Sequence, residues 1–438
     1  MSAGFSPPRM RPLAAHKSMI LSVLDVGTSK IVCLIARLTP MEPSTTLRGR
    51  THHCRILGIA HQQSRGIKGG AVVDLEEAEK SIRHAVDAAE RMAKVQVESV
   101  IVNLAGGRVG SEHYSAKINV SGRPVADSDL HRVREAAARG AARPGRSVLH
   151  ALPNGYALDA MTGVDEPRGM IGDELGAAMH VVSCDDAAAR NLMLAIERCH
   201  LDVEAMVAAP YAASLAVLVD DEKELGATVI DLGGGTTTLG IFHDGALTHV
   251  DGFAIGGRHV TNDIASGLTI RHNDAERLKA LYGSCLPSAS DDREILAIAE
   301  VGEEPDQAHH VPKSRLTRII RPRVEEILEL ARDRLKSAGV GSLAGQRLVL
   351  TGGGSQLTGL ADTARRIISP QVRIGRPLGV QGLPESAKSP AFAASVGLLI
   401  YPQFAASEHF EPRRTSGLQA TGTDTYFTRV GRWLRDSF

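Results

Sequence analysis

Residues 228–242 read Thr-Val-Ile-Asp-Leu-Gly-Gly-Gly-Thr-Thr-Thr-Leu-Gly-Ile-Phe. Val229 and Ile230 have the character of the end of a buried strand, Gly233, Gly234 and Gly235 that of a turn, and Leu239 to Phe242 that of a second strand. The stretch therefore reads as a β-hairpin with a glycine tip. Glycines at a bend bare their backbone N–H groups, and Thr236 and Thr237 add hydroxyl donors. Asp231 stands where a carboxylate can hold the waters of a Mg²⁺ ion. Three glycines alone fit a hairpin without a ligand equally well.

A second copy of the pattern decides between these readings. Residues 20–36, Ile-Leu-Ser-Val-Leu-Asp-Val-Gly-Thr-Ser-Lys-Ile-Val-Cys-Leu-Ile-Ala, again run from an apolar strand through Asp25, Gly27, Thr28, Ser29 and Lys30 into an apolar strand. Two phosphate-sized hairpins, one in each half, imply an internal duplication.

At 438 residues the chain exceeds the roughly 250–300 at which a single core stops growing, so at least two domains are expected. Lys plus Arg and Asp plus Glu both total 50, which leaves no global field to recruit nucleic acid. One Trp and few aromatics argue against base stacking. Cys33, Cys54, Cys184, Cys199 and Cys285 lack paired spacing and read as reduced core residues of a cytosolic protein. Residues 1–18 read as a disordered leader without the apolar centre of a signal peptide, and no run reaches the roughly 18 apolar residues of a spanning helix.

Within 19–103, strands surround a helix opened by Asp74 as N-cap with Glu77 three positions on. Residues 104–178 read as an inserted small α/β module with a helix at Asp127–Ala142 capped by Asp127 or Ser128; a long lid is the alternative. Residues 179–226 complete the first lobe with a small-residue helix, and 227–259 carry the glycine hairpin. Residues 260–338 are helical apart from a loop-rich acidic stretch at 285–313, with a basic helix running from Leu316 to Ala338. Residues 339–400 complete the second lobe, 401–423 read as a flexible linker and 424–438 as an amphipathic tail. In that tail Phe427, Val430, Trp433, Leu434 and Phe438 recur at helical spacing, with Arg429, Arg432 and Arg435 on the other side. This is the composition of a helix lying in the headgroup region of an anionic membrane.

Five motifs in order resemble the actin superfamily, a duplicated, ribonuclease H-like, two-lobed ATP-binding α/β fold. They are Asp25-Val-Gly-Thr-Ser, Pro210-Tyr-Ala-Ala-Ser, Asp231-Leu-Gly-Gly-Gly-Thr, Thr351-Gly-Gly-Gly-Ser and Ala394-Ser-Val-Gly-Leu. In the order given they look like phosphate loop one, the first connecting helix, phosphate loop two, the adenosine loop and the second connecting helix. Within that superfamily His150-Ala-Leu-Pro-Asn-Gly-Tyr-Ala-Leu-Asp, residues 191–199, Asp274-Ala-Glu-Arg-Leu-Lys and the position of the inserted module are similar to the FtsA family of bacterial cell-division proteins.

The resemblance implies ATP held between the hairpins by N–H groups of Gly27, Thr28, Gly234 and Gly235, with Asp25 and Asp231 orienting hydrated Mg²⁺. It implies ribose and purine contacts from Glu276 and Lys279, and an adenosine surface at Gly352, Gly353, Gly354 and Ser355. Hydrolysing relatives place Glu or Gln just before the proline of the first connecting helix; Ala209 stands here, so weak or no ATP hydrolysis is expected. The resemblance further implies actin-like filaments and recruitment of later division proteins by the inserted module, at the cytoplasmic membrane of the septum. It also implies binding of the C-terminal peptide of the tubulin-like FtsZ at Arg323 and, less directly, Arg318. A pilus-assembly adaptor of the PilM type and a sugar-kinase-like enzyme are the alternatives.

Overall fold

The computed structural model describes residues 5–14, 16–42, 47, 49–141, 143–302, 309–339 and 347–408. The first lobe is built on β1 (Met19–Val26) and β2 (Lys30–Pro40), whose apolar runs are buried on both faces and pair antiparallel from Met19↔Leu38 to Val26↔Ile31. β3 (His52–Gln63) continues the meander, while β6 (Ser99–Leu104) and β11 (Asp202–Ala208) add in parallel on the other side of β1. The resulting order is β11-β6-β1-β2-β3, extended at the edge by β19 (Val380–Gln381).

The second lobe repeats this plan. β12 (Ala227–Leu232), β13 (Thr237–His243) and β14 (Ala246–Phe253) form the meander, and β17 (Leu348–Thr351) and β18 (Val372–Ile374) add in parallel, giving β14-β13-β12-β17-β18. Strand for strand, the two orders correspond. Asp25 and Asp231 each occupy the penultimate residue of the central strand, so the duplication places one carboxylate on either side of the gap between lobes. One apolar core fills the first lobe and continues onto one face of the second-lobe sheet at Val229, Phe242, Val250 and Val349; a second covers that sheet's other face at Ile230, Leu239, Ile241 and Leu350.

Two short helices join the halves. α4 (Ala209–Val217) has every residue buried, and α10 (Ala393–Ile400) has all but Ala394 buried, as expected of helices apolar all round. They cross at backbone contact: a Cβ on Gly397 would lie 1.7 Å from the Ala212 carbonyl oxygen. Only glycine fits there, and its absent side chain sets the distance between the helices.

Covering elements follow ordinary chemistry. A two-strand ribbon, β4 (Ile67–Lys68) and β5 (Ala71–Val72), precedes α1 (Leu75–Ala93). Asp74 caps α1 by accepting from the Glu77 N–H at 3.1 Å, a bond worth ~1 kcal/mol. The Glu77 carboxylate does not return the bond; it pairs with Lys80 and Arg65, and the Asp74 N–H goes to the Gly66 carbonyl. The inserted module is a sheet of β7 (Gly110–Asn119), β10 (Glu174–Asp185), β8 (Arg146–Leu158) and β9 (Met161–Val164) under α2 (Asp127–Ala138). Its cap differs from expectation: Asp129, not Asp127 or Ser128, accepts from the Ala126 N–H, at 3.0 Å. α3 (Asp186–Glu197) returns the chain to the first lobe, and α5 (Asp220–Leu225) follows α4.

In the second lobe α6 (Gly257–Leu268), α7 (His272–Tyr282) and α8 (Lys313–Ser337) pack on the sheet, with α9 (Leu360–Ile367) after β17. Pro322 inside α8 costs ~3 kcal/mol relative to an ordinary residue. Burial of Leu316, Ile320, Val324, Ile327, Leu328 and Leu335 on the same helix offsets it.

Within the loop-rich stretch 285–313, β15 (Ile295–Ile298) and β16 (His309–Pro312) pair antiparallel. Two expectations are corrected. Residues 401–408 are not linker: Tyr401, Pro402, Gln403 and Ala405 are buried, and Gln403 Oε1 accepts from the N–H groups of Thr51 and His52 at 2.9 and 3.0 Å. The leader is likewise packed from residue 5 to 14. Its Pro8 carbonyl accepts from the Met206 N–H, Arg9 donates to the Val148 carbonyl, and Arg190 lies 5.0 Å over the Phe5 ring. The amphipathic tail at 424–438 lies outside the described residues.

Candidate nucleotide site

The two hairpin tips are built alike. The Gly27 N–H closes its turn on the Lys30 carbonyl at 3.1 Å, and the Gly233 N–H closes on the Thr236 carbonyl at 2.9 Å. The Gly27 N–H is thus spent within its own turn and not offered to a ligand. The N–H groups of Thr28, Ser29, Gly234 and Gly235 find no acceptor among the described residues. The tips abut, since a Cβ on Gly235 would lie 2.4 Å from Thr28 Oγ1 and one on Gly234 2.8 Å from Ser29 Cβ. Unpaired N–H groups on two facing glycine turns form an anion-binding concavity.

Below the tips lie three charges. Burial is the main cause that raises the Asp25 carboxyl, opposed by bonds from Ser395 and Asn103 and by the nearby Lys30 ammonium. Asp231 is pushed up to about 7, first by removal from water and then by Asp25, with Lys30 opposing. Lys30 is pushed down to about 8 by burial, and its ammonium sits 3.3 Å over the Phe392 ring. Two carboxylates share one ammonium, so the trio lacks positive charge. A divalent cation held through water is what this donor set fits.

The cleft measures about 540 Å³ and reaches from these charges to α6, α7 and the loop after β17. Glu276 and Lys279 both line it, one turn apart on α7. Lys279 Nζ donates to Gly257 O, Thr261 Oγ1 and Glu276 Oε2 at 3.1, 2.7 and 2.8 Å, which accounts for all its protons. Glu276 Oε2 also accepts from Thr261 at 2.5 Å, which leaves Oε1 as the oxygen free to meet a ligand.

In the third loop Gly352 has φ +80° and passes so close to Asp231 that a Cβ would lie 2.2 Å from its Oδ1. At Gly353 the nearest atom to such a Cβ is 3.7 Å away, so this glycine bares backbone to the cleft. Two expected hydroxyls are directed elsewhere. Thr237 Oγ1 donates to the Ile255 carbonyl at 2.8 Å and Ser355 Oγ to the Gly352 carbonyl at 2.7 Å, so neither serves a ligand. Ala209, 2% exposed at the start of α4, lines the cleft with a methyl group.

Sequence reasoning missed Asn103, Thr261, Arg258 and Phe392, all on or beside the cleft wall. Gly256-Gly257 ahead of α6 was the legible sign of a helix start near the phosphates; nothing local marks Asn103. Arg323, on α8, is paired with Asp263 of α6 at 2.6 Å and with Glu326. Arg318 is exposed on the same helix. The residues expected at a membrane, Phe427 to Phe438, lie outside the described residues, and among those described no helix is long and apolar enough to cross one.

A family model described as the cell division protein FtsA matches residues 228–397, and one for the SHS2 domain inserted in FtsA matches residues 106–183. The FtsA of Rhizobium meliloti (strain 1021) is 50% identical over 439 residues, covering 100% of this chain and 99% of its own. The chain belongs to the FtsA family of cell-division proteins. The FtsA of Escherichia coli (strain K12) is 32% identical over 423 residues, covering 95% of this chain and 97% of its own.

Among solved structures, a PilM–PilN type IV pilus biogenesis complex matches with a TM-score of 0.58 at 17% identity, over 87% of this chain and 98% of the other. MreB5 of Spiroplasma citri bound to AMPPNP matches with a TM-score of 0.50 at 14% identity, over 88% and 97%. These likenesses show the two-lobed actin-like fold. FtsA membership adds the inserted module at the position expected for it.

Proposed function

We propose that this FtsA-family chain binds ATP with Mg²⁺ in the cleft and self-associates into actin-like filaments. In that form it tethers FtsZ to the cytoplasmic face of the membrane at the division septum. The observation that carries the nucleotide reading is the pair of facing hairpins with unpaired N–H groups above Asp25 and Asp231. Phosphate oxygens accept from Thr28, Ser29, Gly234 and Gly235, Glu276 Oε1 takes a ribose hydroxyl, and the Gly353 backbone lies against the base. Mg²⁺, when bound, screens phosphate charge, while Asp25 and Asp231 hold its waters. Ala209 offers no group to orient an attacking water, so the site holds ATP and turns it over slowly.

The cationic amphipathic composition of 424–438 supports membrane attachment, and its shortness makes binding depend on many copies in one filament. The inserted module is the surface for later division proteins. A pilus-adaptor role has only a shared fold in its favour. The test is co-sedimentation of the full chain with FtsZ on anionic vesicles, with and without ATP. Vesicle-bound FtsZ that depends on this protein is expected; FtsZ left in the supernatant at every nucleotide condition would refute the tether.

A further inference from the structure

The duplication places Asp25 and Asp231 at matching positions, yet the fold holds them differently. Both Asp25 oxygens are fixed: Asn103 Nδ2 donates to Oδ1 at 2.7 Å and Ser395 Oγ to Oδ2 at 2.6 Å, and all three residues are buried. Asn103 is itself oriented by the Val26 N–H, which donates to its Oδ1 at 2.8 Å. No described side chain donates to Asp231. Ser395 lies 370 positions from Asp25, on α10.

A helical serine commonly turns its hydroxyl back onto its own helix, as Ser214 does by donating to the Pro210 carbonyl at 2.6 Å. Ser395 gives that bond to Asp25 instead. The segment leading into α10 touches the other loops of the cleft as well. Phe392 lies under the Lys30 ammonium, and the Pro390 carbonyl accepts from the Gly352 N–H at 3.1 Å. Residues 390–395 thus contact the first phosphate hairpin and the adenosine loop together, while α10 packs against α4 at Gly397.

We infer that Ser395 is a positioning residue for hydrated Mg²⁺: it locks the Asp25 carboxylate in the rotamer that receives the metal's waters and so ties helix α10 to the metal–nucleotide complex. The inference rests on the nucleotide reading of the cleft. A partner of this kind acts on the metal-facing group and not on the base or ribose, so its loss is felt in metal affinity. Outer-shell partners of metal-facing groups typically contribute about 10–100-fold.

The experiment uses the full chain and a fluorescent ATP analogue, with Mg²⁺ titrated at fixed nucleotide and with a chelator control. In Ser395→Ala the Mg²⁺ concentration for half-maximal binding is expected to rise about tenfold, with metal-free affinity changing less than about twofold. Alanine keeps the helix and removes only the hydroxyl; loss of a bond to a buried carboxylate lowers the melting temperature, so both proteins are read well below the variant's unfolding transition. Asn103→Ala is expected to move the same midpoint in the same direction. A Ser395→Ala midpoint equal to the parent's, or an equal loss with and without metal, overturns the proposal while leaving nucleotide binding intact. A parent protein that binds no nucleotide in either condition overturns the reading of the cleft and the proposal with it.

Discussion

At the residue scale, the proposed slow turnover of bound ATP rests on Ala209. Its methyl lines the cleft at the start of α4, in the same wall as Asp25 and Asp231, so a longer polar side chain there would face the nucleotide phosphates. Ala209→Glu is therefore expected to raise phosphate release by about a hundredfold, the low end of what a positioned base contributes. A malachite-green time course on parent and variant with equal ATP occupancy checks this. An unchanged rate would mean that something other than the missing carboxylate limits turnover. Lys279 illustrates a different point: every proton on its ammonium is already used within the protein. It shapes the pocket by holding α6 to α7, and Glu276 is the partner left with a free oxygen.

At the scale of elements, the docking of the inserted module onto the second lobe invites a measurement. Ser111 on β7 both donates to the Val250 carbonyl and accepts from its N–H, at 3.1 and 2.8 Å, and beside this link lie His113, His180 and His249. His180 pairs across strands with His113, is fully buried and has no hydrogen-bond partner among the described residues for either ring nitrogen. Burial, and then the neighbouring His113, His249 and His150, push it down to about 3. Its ordinary value is 6.5, so between those values the unfolded chain carries a proton that the fold refuses, and stability falls as pH drops through that window. Relative to His180→Leu, the parent is expected to lose about 1.4 kcal/mol per pH unit below roughly pH 6. Urea unfolding of both proteins across that range reads the difference, and parallel curves would refute it. The elements also show what could be read in advance. Hairpins, α1, α8 and the all-apolar connecting helices announce themselves by local pattern and by the repeated Asp-to-Gly motif. Strands β15 and β16, four residues each, are too short to show alternation. The packing of 5–14 and 401–408 depends on partners more than a hundred positions away, which no local window contains. The uses of Thr237 and Ser355 were hidden for a different reason: their acceptors are nearby backbone carbonyls, of Ile255 and Gly352, and composition does not say whether a hydroxyl turns to such a carbonyl or to a ligand.

At the scale of the whole molecule, the proposed partner surface and the candidate nucleotide cleft are joined through α6. Arg323 on α8 grips Asp263 of α6, and α6 in turn presents Gly257 to the cleft and holds Glu276 and Lys279 through Thr261. A charge reversal at Arg323 therefore disturbs an internal pair as well as any acidic peptide outside, whereas Arg318 is exposed and can be reversed with less disturbance. Arg318→Glu is expected to weaken an acidic FtsZ C-terminal peptide several-fold, about 1 kcal/mol, with ATP binding unchanged. Arg323→Glu is expected to weaken both. Fluorescence anisotropy with labelled peptide and labelled ATP separates the cases, and equal effects of the two variants on ATP would sever the proposed link. The segment that follows α10 also matters to the whole. Glu408 is buried against His150, whose Nε2 accepts from the Ala208 N–H at 2.9 Å and whose Nδ1 therefore donates to the Glu408 carboxylate at 3.0 Å. A pull applied beyond residue 408 is thus shared between the backbone into α10, the Gln403 bonds to Thr51 and His52, and this imidazole, which carries its part to the strand end beside Ala209. Tension on the chain would meet the seam of inserted module, first lobe and α4, which makes this ring one mechanical anchor of the C-terminal segment.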